Sequence, residues 1–212
     1  MTSNFKLISN FTLVLALCFL SLLGFSQNDT SKFKAQFALG VNNPSPSGFV
    51  NDFEAKLINF PSINLGLQYM LKSPLGLKLD FGYNRFSNLN DTPDFKVNYT
   101  RINAQLVYDT YGLFGVLPQQ MGVFVHAGPG FSIIKPLGNY PNNNISFLNT
   151  MVGMEFHYAI SDTFSVFLDG SYILGFSNDF NPVSDGFGSF NGNLLTISIG
   201  ASISLSGCYY CN

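Results

Sequence analysis

The chain has 212 residues with ten basic and twelve acidic side chains and a net charge of −2, so it offers nothing to attract a nucleic acid. Charged residues are only 10% of the chain while aromatics reach 16%, with 23 Phe and 10 Tyr, which is lean in charge for a soluble domain. Beyond the N-terminus there is no long apolar run, which excludes helical membrane spans; apolarity falls on alternate residues, not in blocks.

The N-terminus follows the secretory pattern. Lys6 supplies a positive charge, Phe11 to Leu23 is apolar, and Gly24 and Ser26 place small residues ahead of Gln27, so residues 1–26 are predicted to be a removed signal peptide. The run is shorter than the roughly 20 apolar residues that a retained helical span needs. Cys18 follows Leu17, where a lipoprotein signal requires a small residue. Removal of Lys6 with the leader makes the mature chain more negative.

From Phe33 the design changes. Phe33, Ala35, Phe37, Leu39 and Val41 alternate with Lys34, Gln36, Ala38, Gly40 and Asn42, and seven later segments repeat the scheme. A period of two gives one apolar and one polar face. Strands are predicted over 33–42, 62–72, 75–86, 97–109, 121–134, 149–160, 164–176 and 194–206, each long enough to cross tilted at about nine to eleven residues. The fold class read from this pattern is all-β: an eight-stranded antiparallel up-and-down transmembrane barrel over 33–206, because a closed sheet leaves no backbone group unpaired in lipid. Residues 207–212 form a short C-terminal tail.

The breaks alternate in length. Ser73-Pro74 and Ser161-Asp162-Thr163 are tight, whereas 43–61, 87–96, 135–148 and 177–193 are longer and rich in Asn, Pro, Gly and Asp. Short periplasmic turns and long external loops have this arrangement. The stretch 110–120 falls where a short turn is expected and is too long for one. Eight strands make a barrel whose interior is filled by side chains, so no wide pore is expected.

Face assignment follows the alternation. Ile63, Leu65, Leu67, Tyr69 and Leu71 on the second strand, and Ile102, Ala104, Leu106 and Tyr108 on the fourth, are assigned to lipid. Leu195, Ile197, Ile199, Ala201, Ile203 and Leu205 do the same on the eighth. Tyr69, Tyr83, Tyr108, Tyr158 and Tyr172 fall mostly towards strand ends, where aromatic girdles belong. Gly128-Pro129-Gly130 interrupts the fifth strand and marks a bulge or a crowded spot.

The inward face collects the ionisable groups Lys34, Lys78, Asp80, Arg101, His126, Glu155, His157 and Asp169. All but Lys34 and Arg101 fall at similar heights when shear is ignored. An isolated buried ion costs several kcal/mol, so these groups are expected to pair as a polar plug; a proton or ion path through them is the sharper alternative. His126 and His157 with Glu155 and Asp169 could in principle hold a metal or act as acid and base, but neither histidine has zinc-type spacing. Ser132 or Ser165 beside a histidine would be the nucleophile of a hydrolase. These positions are predicted to be mid-barrel or unmatched, so no catalytic role, metal or cofactor is assigned. Cys208-Tyr209-Tyr210-Cys211 lacks the βαβ context of redox CxxC pairs, and Cys208 and Cys211 are read as a disulfide-closed tail or as reduced cysteines without a role.

Several stretches combine these features: Gly40-Val41-Asn42-Asn43-Pro44, Phe60-Pro61, Gly76-Leu77-Lys78-Leu79-Asp80-Phe81-Gly82-Tyr83, Tyr99-Thr100-Arg101, His126-Ala127-Gly128 and Phe190-Asn191-Gly192. With them the chain resembles the OmpA-like outer-membrane β-barrel domains of Bacteroidetes-type envelopes, over about 33–206. The resemblance implies an outer-membrane location, contact with membrane lipid and delivery by the barrel-assembly machinery. Family members often continue into a periplasmic peptidoglycan-binding domain, whereas here only six residues follow Ser206, so envelope tethering is not carried over. The function expected is structural or surface-interacting, with loops 43–61 and 177–193 as the surfaces for a ligand. A narrow channel and a soluble lipocalin-like carrier, with the faces inverted around an apolar cavity, are the alternatives.

Overall fold

The structure is a computed structural model describing residues 32–110, 118, 120–177 and 187–205. The expected signal peptide, most of the 110–120 stretch, the middle of loop 177–193 and the tail with Cys208 and Cys211 lie outside the described residues. Eight strands follow in chain order: β1 Phe33–Pro44, β2 Asn59–Lys72, β3 Leu75–Ser87, β4 Lys96–Asp109, β5 Met121–Leu137, β6 Ile145–Ala159, β7 Phe164–Phe176 and β8 Leu194–Ser204. Each pairs antiparallel with its chain neighbours, and β1 pairs with β8, which closes the barrel.

The strands match the alternation in the sequence, but at the long-loop end β2 starts earlier, β5 runs later and β6 starts earlier than the alternation suggests. The reason is physical. At this level inward positions turn apolar, Ile134 and Pro136 on β5 and Phe147 on β6, so the contrast between faces is lost while the backbone ladder continues. At Gly128-Pro129-Gly130 no residue is inserted: the pairing runs Asn103↔Gly130 and then Leu106↔Ala127. The site is therefore an interrupted ladder and not a bulge, as expected where proline supplies no N–H.

The faces are as the alternation requires. Leu65, Leu67, Leu79, Ile102, Leu106, Leu168 and Ile199 are exposed on the outer wall, while Gln68, Lys78, Asp80, Asn103 and Glu155 are buried within. The inverted, carrier-like arrangement is overturned by this placement: Lys78, Asp80, Arg101 and Glu155 are 6, 2, 1 and 1% exposed instead of forming a charged surface. Tyr69, Tyr108 and Tyr158 lie near the short-turn ends of β2, β4 and β6, as an aromatic girdle requires.

The interior has two storeys. The lower and middle part is mostly polar, with Phe124 and Phe167 also buried there. The long-loop end is apolar, with Phe53, Phe86, Phe95, Val97, Tyr99, Ile134, Phe147, Ile173, Phe187, Phe190 and Leu194 in one buried cluster. On β3, β4 and β5 the pattern inverts at this level: Phe86, Val97 and Ile134 turn inward while Arg85, Lys96 and Lys135 turn outward.

Candidate functional site

The lumen is built around Glu155. The register sets Glu155 of β6 directly opposite Asp169 of β7, and two carboxylates facing each other are unfavourable unless a cation or hydrogen-bonding groups reach them. Both are reached. Lys78 crosses from β3 to form a buried ion pair with Glu155, and His126 of β5 places Nε2 3.1 Å from Asp169 Oδ1. Gln36 of β1 donates to Glu155 Oε2 at 3.0 Å, and His157 Nε2 lies 2.6 Å from the same oxygen. Glu155 thus ties β1 and β3 to β6 across the lumen. Ser171 Oγ holds Asp169 at 2.9 Å.

Above this centre, Arg101 forms an ion pair with Asp80 and donates to Asn64 Oδ1 at 2.9 Å and Asn103 Oδ1 at 3.1 Å. Arg101 does stand one inward step higher than Asp80, as its place in the alternation suggested, and still reaches it. Arg101 stands opposite Gly82 while Asp80 stands opposite Asn103, so the partners are diagonal neighbours, within reach of a long side chain. Gly82 makes room, since a Cβ there would lie 2.6 Å from Arg101 Nε. The chain of bonds continues from Asn103 to Asn149 at 2.6 Å, Asn149 to Ser132 at 2.8 Å and Ser132 to Tyr99 at 2.7 Å.

Below the centre, His157 is held between rings: it stacks on Phe167 with centroids 4.9 Å apart and meets Phe124 edge-on at 5.0 Å. Lys34 places its ammonium 4.9 Å from the Phe124 ring centre. Lys34, Lys78, Asp80, Arg101, His126, Glu155, His157 and Asp169 are therefore all inward and buried, as expected from their phase.

Two arrangements bear on chemistry. Ser165 Oγ lies 3.2 Å from His157 Nδ1, on the opposite side of the ring from Glu155, which gives the connectivity of a nucleophile, base and orienting acid. Glu155 is, however, already neutralised by Lys78. Ser132, the other candidate nucleophile, bonds to Tyr99 and Asn149. His126, Glu155 and Asp169 offer ligand atoms within 4.8 Å of one another, a geometry that could hold a cation; Lys78 already supplies the positive charge on Glu155. An interior gap lined by Gln36, Asn64, Lys78, Asp80, Asp169 and Ser198 has about the room of one water.

The long-loop end is closed from above. Phe49 and Phe53, from the segment between β1 and β2, meet Phe190 and Phe187, from the segment before β8, with centroids 4.9 and 5.0 Å apart. Phe86 and Phe95 pack beneath them at 5.0 and 5.1 Å. Ser45 N–H donates to Asn193 O and Asn191 N–H to Gly48 O, stitching the two segments together. The alternation alone did not reveal this cap. Its signal was the inversion on β3 to β5, where inward positions turn aromatic and outward ones turn basic.

Comparison with known proteins agrees with this architecture. Residues 12–204 match the family model of the outer membrane protein beta-barrel domain. Neisserial surface protein A is similar at 14% identity with a TM-score of 0.58, covering 84% of this chain and all of that one. The outer membrane protein OprG from Pseudomonas aeruginosa is similar at 10% identity with a TM-score of 0.54, covering 82% and 99%. The outer membrane enzyme PagL is similar at 11% identity with a TM-score of 0.41, covering 81% and 99%. At these identities the likeness is one of fold, which does not assign chemistry. Among curated protein sequences none matches.

Proposed function

This chain belongs to the outer membrane protein β-barrel family, and on that premise we propose that it serves as a sealed structural barrel of the outer membrane whose external loops carry surface recognition. The observation that carries the reading is the double closure of the lumen. Lys78 and Gln36 reach across to Glu155, and the aromatic cap of Phe49, Phe53, Phe187 and Phe190 covers the far end. A solute path would have to break buried ion pairs and withdraw the cap together, which argues against a channel. The residues around Ser165 are structural in this reading, because their carboxylate is engaged by a lysine and the serine belongs to the polar fill. Loops 43–61 and 177–193 are the surfaces offered to a partner, and residues 1–26 the leader that delivers the chain to the assembly machinery.

Three measurements on the full chain test this reading. Reconstituted in planar bilayers, the protein is expected to give no stepwise conductance; regular steps from the wild type would establish a channel. A fluorophosphonate probe is expected to leave Ser165 unlabelled, and labelling lost in Ser165→Ala would establish a hydrolase. An epitope inserted after Asp52 is expected to bind antibody on intact cells. Access only after permeabilisation would place this loop away from the surface and remove the recognition role.

A further inference from the structure

Among the described residues, the outer wall of the strands carries charge in one place. Among outward strand positions with described side chains, the charged residues are Arg85, Lys96 and Lys135, on the adjacent strands β3, β4 and β5, and all are basic. The register brings them together. Arg85 stands opposite Asn98, and Asn98 opposite Lys135, so Arg85 and Lys135 flank one residue about 10 Å apart, two inter-strand spacings. Lys96 lies two residues from Asn98 on the same face, one step farther from the membrane belt.

Arg85 is held ready. Its Nε donates to Asn98 Oδ1 at 2.9 Å and its Nη2 to Tyr83 Oη at 2.8 Å, which fixes the guanidinium and leaves Nη1 without an acceptor among the described residues. No ion pair among the described residues engages Arg85, Lys96 or Lys135. The nearby loop carboxylate of Asp94 accepts from Asn88 at 3.0 Å.

Directly below, the same three strands become apolar. Tyr83, Thr100 and Ile133 form the next row, and Phe81, Ile102 and Phe131 the one after, the last three being 39, 54 and 45% exposed. The basic cluster therefore stands at the edge of the lipid belt, on the long-loop side, at the level of head groups. A site that is cationic above and apolar below matches an amphiphile with an anionic head and several chains. Arginine and lysine together suit phosphate.

We propose that Arg85, Lys96 and Lys135 form a binding site for the phosphorylated head group of a multiply acylated lipid of the outer leaflet, whose chains lie on Phe81, Ile102 and Phe131. The site fixes the depth and rotational position of the barrel in the leaflet and is separate from the loops and the lumen.

The test uses the full chain, folded in detergent, with purified bis-phosphorylated lipid A as the probe and native mass spectrometry as the readout. The wild type is expected to retain the lipid, and its dephosphorylated form weakly. The triple variant Arg85→Gln/Lys96→Gln/Lys135→Gln is expected to lose about 100-fold in apparent affinity, taking about fivefold per basic side chain at a membrane surface. Lys32→Gln, near the other end of the barrel, is expected to bind as the wild type does. These positions face outward, and a boiling-dependent gel shift verifies that each variant is folded. Equal retention by the triple variant, or equal binding of the dephosphorylated lipid, would overturn the proposal. Competition by inorganic phosphate at the same concentration as the lipid would also overturn it, showing a free-anion site.

Discussion

Replacing Lys78 by methionine removes one charge from the lumen and nothing from its wall. Glu155 would keep Gln36 at 3.0 Å and His157 at 2.6 Å, yet it is 1% exposed and would face Asp169 without the ammonium between the strands. Removing one partner of a buried pair costs about 3–5 kcal/mol, because the remaining charge stays desolvated. With a urea slope of about 2 kcal/mol per molar, the unfolding midpoint should fall by roughly 2 M. The fraction of the fast-migrating folded form on unboiled gels across a urea series reads this directly. Adding Glu155→Gln removes the stranded charge while keeping an acceptor for Gln36, so the double variant should recover a coupling energy of about 2 kcal/mol. If the single changes each cost under about 1 kcal/mol and add without coupling, the lumen is hydrated enough to screen the pair and is neither filled nor sealed.

Three further substitutions probe the same packing. Gly82→Val would place a Cβ 2.6 Å from Arg101 Nε, in a side chain already held by Asp80, Asn64 and Asn103, and should cost about 1–3 kcal/mol through overpacking. Gly170→Ala, where a Cβ meets nothing within 4 Å, should stay within about 0.5 kcal/mol, and equal effects of the two in the urea series would refute the crowding. Phe190→Ala should cost about 3–5 kcal/mol of cap stability. Hydrogen exchange should then speed up at Ser45 and Asn191, whose amides join the two cap segments, while strand amides stay protected. A matching loss across the strands would show that the cap and barrel unfold as one unit.

The strands were legible because lipid on one side and polar fill on the other enforce a strict period of two; β7 begins and ends where its alternation does. The inward residues were legible for the same reason, since phase alone decides the face. Partnerships were less so. Arg101 finds Asp80 through a diagonal that depends on register, and register depends on the turns. The cap was hidden for another reason. Phe49, Phe53, Phe187 and Phe190 sit in segments without periodicity, and their burial requires two loops far apart in sequence to meet over the barrel mouth. The basic cluster required knowing that Arg85, Asn98 and Lys135 share one row, which the ladder supplies and composition does not.

The apolar outer face of this barrel meets lipid. Outer membranes carrying the full chain, washed with carbonate and run on gels with and without boiling, test it most directly. The protein should stay in the membrane and change mobility only on boiling, as a closed sheet that resists detergent does. Release into the soluble fraction, with one mobility before and after boiling, would contradict it.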